Sequence, residues 1–259
     1  MNRTMPAELT SVVHVEHVMG TTVSFDVRTT PDDVDHARRV IAAAVHILHT
    51  ADAVFSTYRP DSDISRLNRG ELRLAACHPD VARVLDLCAW FEAKTDGYFT
   101  ARYDGSIDPT GLVKGWAVDR AAQHIADAGY QHVLVNGGGD IAAVGGRAPG
   151  LPWRVGIAHP FRSDVLLATV ELFTGGVATS GTTCRGAHVI NPRTGSPATE
   201  WASVTVSGPD LVSADVYATA ALARGRSALT WLSELPGFRY WAVSADGAAW
   251  QSPPRSAVR

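Results

Sequence analysis

The residues of this chain that could do chemistry begin in a short stretch from Ile107 to Asp119. Asp108, Thr110, Gly111 and Lys114 follow one another within seven residues, and a helical pattern of apolar residues comes next. A helix N-terminus presents free backbone N–H groups and a partial positive charge, to which a lysine adds a full charge. The stretch therefore favours a site for a phosphate-bearing ligand, although a lysine before a helix is often only a solvated surface residue.

A second stretch, Ser213–Thr219, offers oxygen ligands. Asp215 and Thr219 are four residues apart, so on a helix their side chains share one face and can present two oxygens to one point. A carboxylate and a hydroxyl suit a hard cation such as Mg²⁺, which keeps several waters and shares a phosphate. The alternative stays open that Asp215 only favours the positive helix start and that Thr219 hydrogen-bonds the preceding turn.

A third stretch, Val177–His188, leads into the turn sequence Asn191-Pro-Arg-Thr-Gly195. His188 is therefore expected on a strand just before a turn, where its side chain can face a cleft. Because histidine suits proton transfer near neutral pH, we take His188 as a candidate proton acceptor. The chain has ten histidines, and a lone histidine is more often structural.

The glycines that follow the buried run Val133–Val135 invite comparison with a dinucleotide-binding site. Gly137–Ala142 matches the pattern G-x-G-x-x-A after a predicted strand. In that motif a helix must begin at the glycines, whereas here an alternation continues and ends in Gly145-Gly146. The sequence thus predicts a β-hairpin whose glycines let the backbone approach a ligand. A Rossmann-type oxidoreductase is the least favoured alternative.

The elements that must position these residues are interleaved irregularly, which fits an α+β fold with mixed sheet layers and packed helices better than a regular doubly wound fold. Periodicity and capping signals predict helices from about Pro31 through Leu48, Pro79 to Lys94, Lys114 to Ala128, Ser213 (as the cap) to Arg224, and Ser227 to Leu235. Alternation predicts strands over Val12–Val27 with a break at Met19–Thr21, and at Val133–Val135, Trp153–Ile157, Leu166–Phe173, Ala187–Ile190, Ser203–Val206 and Phe238–Ala245. Phe55–Asn68 is predicted to be an ordered, irregular loop.

Length and composition limit the function classes. The chain has 259 residues, 46% of them hydrophobic, and we expect one domain over residues 1–259 with residues 1–10 as a flexible N-terminus. A formal net charge of −3 argues against a nucleic-acid partner held by bulk electrostatics. We expect no membrane segment and no signal peptide. Three cysteines without metal-ligand spacing fit reduced thiols, so a cytoplasmic location is expected.

Seven motifs, taken together and in order from about residue 19 to residue 225, resemble the motif set of the ApbE family, the FAD:protein FMN transferases. No single motif is decisive, but seven in order are specific. The motifs are Met19-Gly-Thr, Tyr58-Arg-Pro-Asp-Ser-Asp-Ile-Ser-Arg-Leu-Asn, Asp108-Pro-Thr-Gly-Leu-Val-Lys-Gly-Trp-Ala-Val-Asp, Asn136-Gly-Gly-Gly-Asp-Ile, Ala178-Thr-Ser-Gly, His188-Val-Ile-Asn-Pro-Arg-Thr-Gly and Ala214-Asp-Val-Tyr-Ala-Thr.

The resemblance implies a magnesium-dependent flavin transferase with an α+β fold related to the T-fold. Such enzymes split FAD, attach FMN through its phosphate to a threonine hydroxyl of an acceptor protein, and release AMP. Carried over by position, Mg²⁺ would be held by the Asp215 carboxylate, the Thr219 hydroxyl and the main-chain carbonyl of Gly111. Asp215 and His188 would be the catalytic residues.

The resemblance also implies a set of residues that line the FAD site. Lys114 would join the metal in offsetting charge on the pyrophosphate, as phosphoryl transfer needs. Tyr58 would offer a stacking face for a flat ring. The full set is Met19, Tyr58, Tyr98, Phe99, Asp108, Lys114, Ser180 and His188.

The sequence departs from the family pattern in two places. The usual Gly-x-Phe-Asp is Gly97-Tyr-Phe-Thr100 here, so a carboxylate near the flavin is missing or displaced, with Asp104 as the candidate replacement. The insert between that motif and Asp108 is also short, where many members carry a longer one. Two alternatives therefore stay open: an FAD pyrophosphatase that gives FMN and AMP, and an FAD-binding protein without catalysis.

Overall fold

The structure, a computed structural model, describes residues 8–182 and 189–253, and a large antiparallel sheet runs through them. The strands of the described residues are β1 Thr10–Val18, β2 Thr21–Thr29, β3 Arg102–Tyr103, β4 Ser106–Ile107, β5 Val133–Gly137, β6 Asp140–Val144, β7 Trp153–His159, β8 Arg162–Leu172, β9 Gly175–Gly181, β10 Trp201–Gly208, β11 Arg239–Ser244 and β12 Ala249–Gln251. Within the described residues, eight of them form one sheet in the order β1-β2-β5-β6-β9-β10-β11-β12. The pairs β3–β4 and β7–β8 are separate hairpins.

The α-helices are α1 Val34–Phe55, α2 Asp63–Asn68, α3 Pro79–Lys94, α4 Thr110–Asp127, α5 Leu211–Arg224 and α6 Ala228–Glu234. They pack on one face of the sheet, because Val133 and Val135 of β5 join the same hydrophobic cluster as the helices. Leu134, which points the other way, joins the cluster beneath β7 and β8. In the part of the chain that the structure describes, no helix has both the length and the apolar character that crossing a membrane requires.

The β1–β2 hairpin confirms the predicted break between two strands. Val18 pairs with Thr21, which leaves Met19 and Gly20 as a two-residue turn with φ of 54° and 67°. A type I′ turn needs positive φ at both central positions, and glycine accepts this while methionine is strained by it. The fold therefore holds Met19 at the tip in a conformation that its side chain disfavours.

The glycine stretch forms the predicted hairpin between β5 and β6. Gly137 pairs with Asp140, and Gly138 and Gly139 turn between them with positive φ. Since β6 begins at Asp140, no helix starts at these glycines, and the requirement of a dinucleotide-binding motif is not met.

The helices α4 and α5 lie against each other and over the middle of the sheet. α5 is rich in buried alanines, whose small side chains let it approach β9 and β10 closely. A Cβ added at Gly176 of β9 would lie 2.3 Å from the Cα of Leu211, so β9 passes directly beneath the start of α5. These three elements carry most of the predicted metal and phosphate residues.

Two predicted helix starts are wrong. α4 begins at Thr110 rather than Lys114, with Pro109 at the cap position and the Asp108 carboxylate just before it accepting from the Thr110 backbone N–H. The cap of α5 is Asp210, which accepts from the backbone N–H of Ser213 at 2.7 Å, so Ser213 lies inside the helix.

Other elements differ from the sequence prediction. The segment Phe55–Asn68 contains the helix α2, capped by the Ser62 hydroxyl, rather than being irregular throughout. The strands β9 and β12 were not predicted, and α1 continues to Phe55. Of the predicted strand Ala187–Ile190, the first two residues lie outside the described part, and Ile190 makes an isolated bridge with Pro197.

Candidate active site

The start of α4 is built by Asp108. Its Oδ1 accepts from the Thr110 backbone N–H at 3.0 Å and from the Thr110 hydroxyl at 2.6 Å, while its own N–H donates to the Ala101 carbonyl at 2.8 Å. Gly111 is thus the second residue of α4 rather than part of a turn. In an α-helix the carbonyl of residue i is directed at the N–H of residue i+4, so the Gly111 carbonyl is directed along the helix toward Gly115.

The predicted pair on α5 meets a third predicted residue on β9. Asp215 is buried, with 4% of its surface exposed, and Thr219 is one turn further along the same helix. The Thr219 hydroxyl lies 2.9 Å from the hydroxyl of Ser180. Thr219 therefore contacts the neighbouring strand through its side chain, as a residue facing a shared site would.

Asp215 also lies against the backbone of α4. A Cβ added at Gly115 would be 2.8 Å from Asp215 Oδ2 and 3.0 Å from Asp215 Cβ, distances at which something must shift. Glycine at position 115 therefore allows α4 and α5 to approach closely enough for the carboxylate to contact the helix backbone. Two contacts thus join the predicted residues: Asp215 of α5 lies against α4 at Gly115, and Thr219 of the same helix contacts Ser180 of β9.

Lys114 points into the sheet rather than into open solvent. Its ammonium donates to Oδ2 of Asp140, a residue with only 1% of its surface exposed. The other carboxylate oxygen of Asp140 accepts from the backbone N–H of Thr179 at 2.9 Å. Asp140 therefore connects α4 with β9, and 26% of the Lys114 side chain stays accessible.

Two residues of the predicted FAD site lie at exposed or strained positions. Tyr58 follows α1 and has 94% of its surface exposed, which is unusual for an aromatic side chain in a folded protein. Met19 lines an open cavity of about 430 Å³ together with residues of the β1–β2 hairpin and Asp52 of α1.

Tyr98 and Phe99, which follow α3, are engaged by other protein groups. Phe99 is buried and packs against α4, since a Cβ on Gly111 would lie 3.4 Å from its ring. Two guanidinium groups lie over the Tyr98 ring, with the ring centroid 4.6 Å from Cζ of Arg193 and 5.1 Å from Cζ of Arg224. In the described structure Phe99 thus supports the start of α4 from the core, and Tyr98 stacks with arginines.

The order of these elements along the chain matches a known family. The ApbE family model matches residues 19–105 and 100–241. This chain belongs to the ApbE family. The resemblance inferred from the seven motifs is confirmed, since the matched residues include all seven of them.

Curated ApbE relatives share part of their length with this chain. The FAD:protein FMN transferase of Escherichia coli (strain K12) is 29% identical over 160 residues, which cover 57% of this chain and 46% of that protein. The FAD:protein FMN transferase of Haemophilus influenzae is 32% identical over 130 residues, which cover 46% of this chain and 38% of that protein. The chain thus matches about half of the length of these relatives, or less.

Solved ApbE structures share the fold. The flavin transferase ApbE from Vibrio cholerae has a TM-score of 0.78 at 23% identity, covering 95% of this chain and 98% of that one. The apo form of the Pseudomonas stutzeri flavinyl transferase ApbE has a TM-score of 0.81 at 24% identity, covering 97% and 96%. The predicted α+β, ApbE-like fold is therefore confirmed.

The departure from the ApbE pattern at Thr100 places a different carboxylate nearby. The Thr100 hydroxyl donates to Oε2 of Glu92 on α3 at 3.1 Å. Asp104, the candidate replacement, instead occupies the exposed tip of the β3–β4 hairpin with φ of 47°. Glu92 is thus the carboxylate that contacts Thr100, and it could be found only from the structure.

His188 lies outside the described residues, but the turn that follows it is described. The Gly195 N–H donates to the Asn191 carbonyl at 2.9 Å, which confirms the predicted turn. Arg193 in this turn donates from Nη2 to the Asp96 carbonyl at 2.6 Å. The segment after His188 is therefore fixed to the chain just before Tyr98.

Asn68 is a structural support of the site that the sequence did not single out. Its side-chain amide donates to the Ile107 carbonyl at 2.8 Å and accepts from the Ile107 N–H at 2.9 Å. This pair of bonds imitates a neighbouring strand and fixes the residue immediately before Asp108. The only sequence signal for Asn68 was its position at the end of the motif that begins at Tyr58.

The described cysteines do not add a nucleophile to the site. Burial, together with the negative charges of Glu92 and Asp108, raises the pKa of the Cys88 thiol to about 12. Burial also raises the pKa of Cys77. Because the thiolate is the reactive form, both groups stay protonated near neutral pH.

Proposed function

We propose that this ApbE-family chain transfers FMN from FAD to a threonine hydroxyl of an acceptor protein and releases AMP. The threonine oxygen attacks the FMN-side phosphorus, and the bond from that phosphorus to the bridging oxygen breaks. AMP leaves with that oxygen, and the hydroxyl proton passes to a base, for which His188 is the candidate. The family match and the names of the curated relatives support this activity.

The observation that carries the proposal is the meeting of three separate segments at one place. The Ser180–Thr219 hydroxyl contact joins β9 to α5, and the close approach at Gly115 brings Asp215 against α4. These are the segments that held the predicted hydroxyl, carboxylate and phosphate-binding residues. Their proximity supports one site for a pyrophosphate rather than several unrelated features.

The chemistry of these donors fits a magnesium ion. Among the described residues no group of three histidine, cysteine or acidic side chains could hold a metal, so an ion here would also take hydroxyl and main-chain oxygens. Oxygen donors with a single carboxylate suit Mg²⁺, which keeps waters and shares substrate phosphates. The Asp215 carboxylate, the Thr219 hydroxyl and the Gly111 carbonyl would hold it. When bound, it would offset negative charge on the pyrophosphate.

The remaining residues of the proposed site bind and orient FAD. Lys114 offers an ammonium to the phosphates, and Ser180 holds the Thr219 hydroxyl. Tyr58, almost fully exposed, offers a stacking face for a flat ring, and Met19 borders the cavity between the β1–β2 hairpin and Asp52 of α1. Asp108 shapes the helix start through its contacts with Thr110.

The test is to incubate the chain with FAD, Mg²⁺ and a candidate acceptor, and to measure by mass spectrometry the FMN added to the acceptor. Asp215→Ala should lower the rate by about 100-fold or more, because a metal ion contributes several kcal/mol and about 1.4 kcal/mol is tenfold. Asp80→Asn, which removes a buried carboxylate bonded to Arg120, is the control and should keep the parent rate.

The outcomes separate the candidate activities. If Asp215→Ala transfers FMN at the parent rate, the assignment of Asp215 as a metal ligand is wrong. Release of FMN and AMP at one rate with and without acceptor would identify an FAD pyrophosphatase instead. Tight FAD binding without AMP release would identify a binding protein.

The location and domain extent also stay proposals. A cytoplasmic protein of one domain over residues 1–259 is what the cysteine pattern and the continuous motif order favour. Cell fractionation, followed by limited proteolysis of the purified chain, would test both.

A further inference from the structure

The sheet opens between β6 and β9 next to the proposed FAD site. The described pairing of these strands runs from Ala143–Gly175 to Ile141–Val177. Past Val177, β9 continues along β10 and α5, while β6 has already reached its first residue, Asp140. The backbone N–H of Thr179 therefore faces a gap in the sheet.

The Asp140 side chain fills that gap. One oxygen accepts from the Thr179 N–H at 2.9 Å, in place of the missing strand, and the other accepts from the Lys114 ammonium. Asp140 is almost completely buried. A buried charge is tolerated only when it is paired and hydrogen-bonded, and these two contacts meet that requirement.

The two partners of Asp140 belong to opposite sides of the proposed site. Lys114 comes from α4, and Thr179 immediately precedes Ser180, whose hydroxyl contacts Thr219 of α5. A single buried carboxylate therefore fixes the ammonium and the hydroxyl pair relative to each other. Phosphate binding by several groups at once depends on such fixed geometry, because small displacements weaken every bond.

We propose that Asp140 is a positioning residue for FAD binding, which acts through Lys114 on one side and through the Thr179–Ser180 end of β9 on the other. It does not touch FAD. It holds the Lys114 ammonium in a fixed position above the sheet, from which the ammonium contacts the phosphates. This inference rests on the proposed function for the identity of the ligand.

The first test measures FAD affinity by quenching of flavin fluorescence in EDTA, where no divalent metal contributes. Asp140→Asn keeps an oxygen for Thr179 but loses the charge that orients Lys114, and it should weaken FAD binding about tenfold. Lys114→Gln should weaken it at least as much. The double variant should bind FAD like Lys114→Gln within about twofold, since Asp140 acts through Lys114.

The double variant also removes both charges, so it leaves no buried charge uncompensated if Asp140→Asn alone does not fold. Asp80→Asn, a loss of a buried carboxylate bonded to Arg120, is the matched control and should keep the parent affinity. A loss in the double variant that multiplies the two single losses would overturn the inference. So would parent-like affinity of folded Asp140→Asn.

The second test separates the two sides. Asp140→Ala also removes the acceptor of the Thr179 N–H, so calorimetric titration with Mg²⁺ in the presence of FAD should show weaker metal binding than for Asp140→Asn. Equal metal binding by both variants would overturn the β9 half of the inference. Failure of the unaltered chain to bind FAD would be different, because it would overturn the proposed function itself.

Discussion

The Thr219 hydroxyl shows how one contact can decide between two roles of a residue. A hydroxyl that binds a cation through its lone pairs must donate its proton to another acceptor. The Ser180 hydroxyl, 2.9 Å away, is an acceptor in reach on a different element. The contact therefore favours the ligand role of Thr219 over a hydrogen bond to the preceding turn of its own helix.

This argument predicts different effects for two substitutions of Thr219. Thr219→Ser keeps the hydroxyl and should retain the transfer rate within about threefold, whereas the isosteric Thr219→Val removes it and should cost about tenfold or more. The Mg²⁺ concentration at half-maximal rate should also rise in Thr219→Val. Thr205→Val on β10, which removes a hydroxyl bonded to the Thr179 hydroxyl of β9, is the control. A parent-like Mg²⁺ dependence of Thr219→Val would exclude Thr219 as a ligand.

Sequence reasoning found the residues whose chemistry is visible in their own segment and missed those defined by a distant partner. Asp215 and Thr219 were predicted because helical spacing alone places them on one face. Asp140 was not predicted as a site residue, although it belongs to one of the seven motifs, since its partners Lys114 and Thr179 lie 26 and 39 residues away. Long-range hydrogen bonds of this kind leave no periodic pattern.

At the scale of elements, the contact between α4 and α5 depends on the absence of a side chain at Gly115. Alanine normally stabilises a helix by up to about 1 kcal/mol relative to glycine. A Cβ here would lie 2.8 Å from Asp215 Oδ2, and such overpacking costs about 1–3 kcal/mol. Steric conflict therefore outweighs propensity, and the helices must separate or Asp215 must move.

We accordingly predict that Gly115→Ala lowers the free energy of unfolding by up to about 2 kcal/mol, the difference between these two effects. It should also raise the Mg²⁺ concentration at half-maximal transfer rate, because Asp215 is displaced. Gly111→Ala is the matched control, because its Cβ would lie 3.4 Å from the Phe99 ring, an ordinary contact. Urea denaturation measures the free energy of unfolding of both variants. The packing argument fails if Gly115→Ala is as stable as Gly111→Ala.

As with the residues, some elements could be predicted from their own sequence and others could not. α3 spans Pro79–Lys94 as predicted, since a proline opens it and Gly97 follows its end. The start of α4 was missed because Asp108-Pro-Thr-Gly has the composition of a turn, whereas the helix already begins at Thr110, whose N–H and hydroxyl donate to Asp108. β9 was missed because its small and polar residues show no alternation of apolar and polar positions. Neighbouring elements bury them instead.

At the scale of the whole molecule, polar side-chain contacts of Glu16 hold the edge of the large sheet to the helical layer. Glu16 of β1 lies 3.3 Å from His14 on the same strand and 3.1 Å from His49 of α1. β1 pairs with β2 on one side, so these contacts help to hold an edge strand against α1. The hydrogen bond with His14, followed by that with His49, holds the pKa of Glu16 below its ordinary value of 4.5.

A lowered carboxyl pKa gives this fastening a definite pH dependence. Because the unfolded chain takes up the proton at a higher pH than the folded one, the contribution of Glu16 is present above about pH 4.5 and is lost as the pH falls through the folded pKa. Glu16→Gln should therefore unfold at a lower urea concentration than the parent at pH 6, and the difference should shrink toward pH 3.5. Glu171→Gln, at an exposed position of β8, should follow the parent. A parent–variant difference that grows as the pH falls would contradict the sign of the argument.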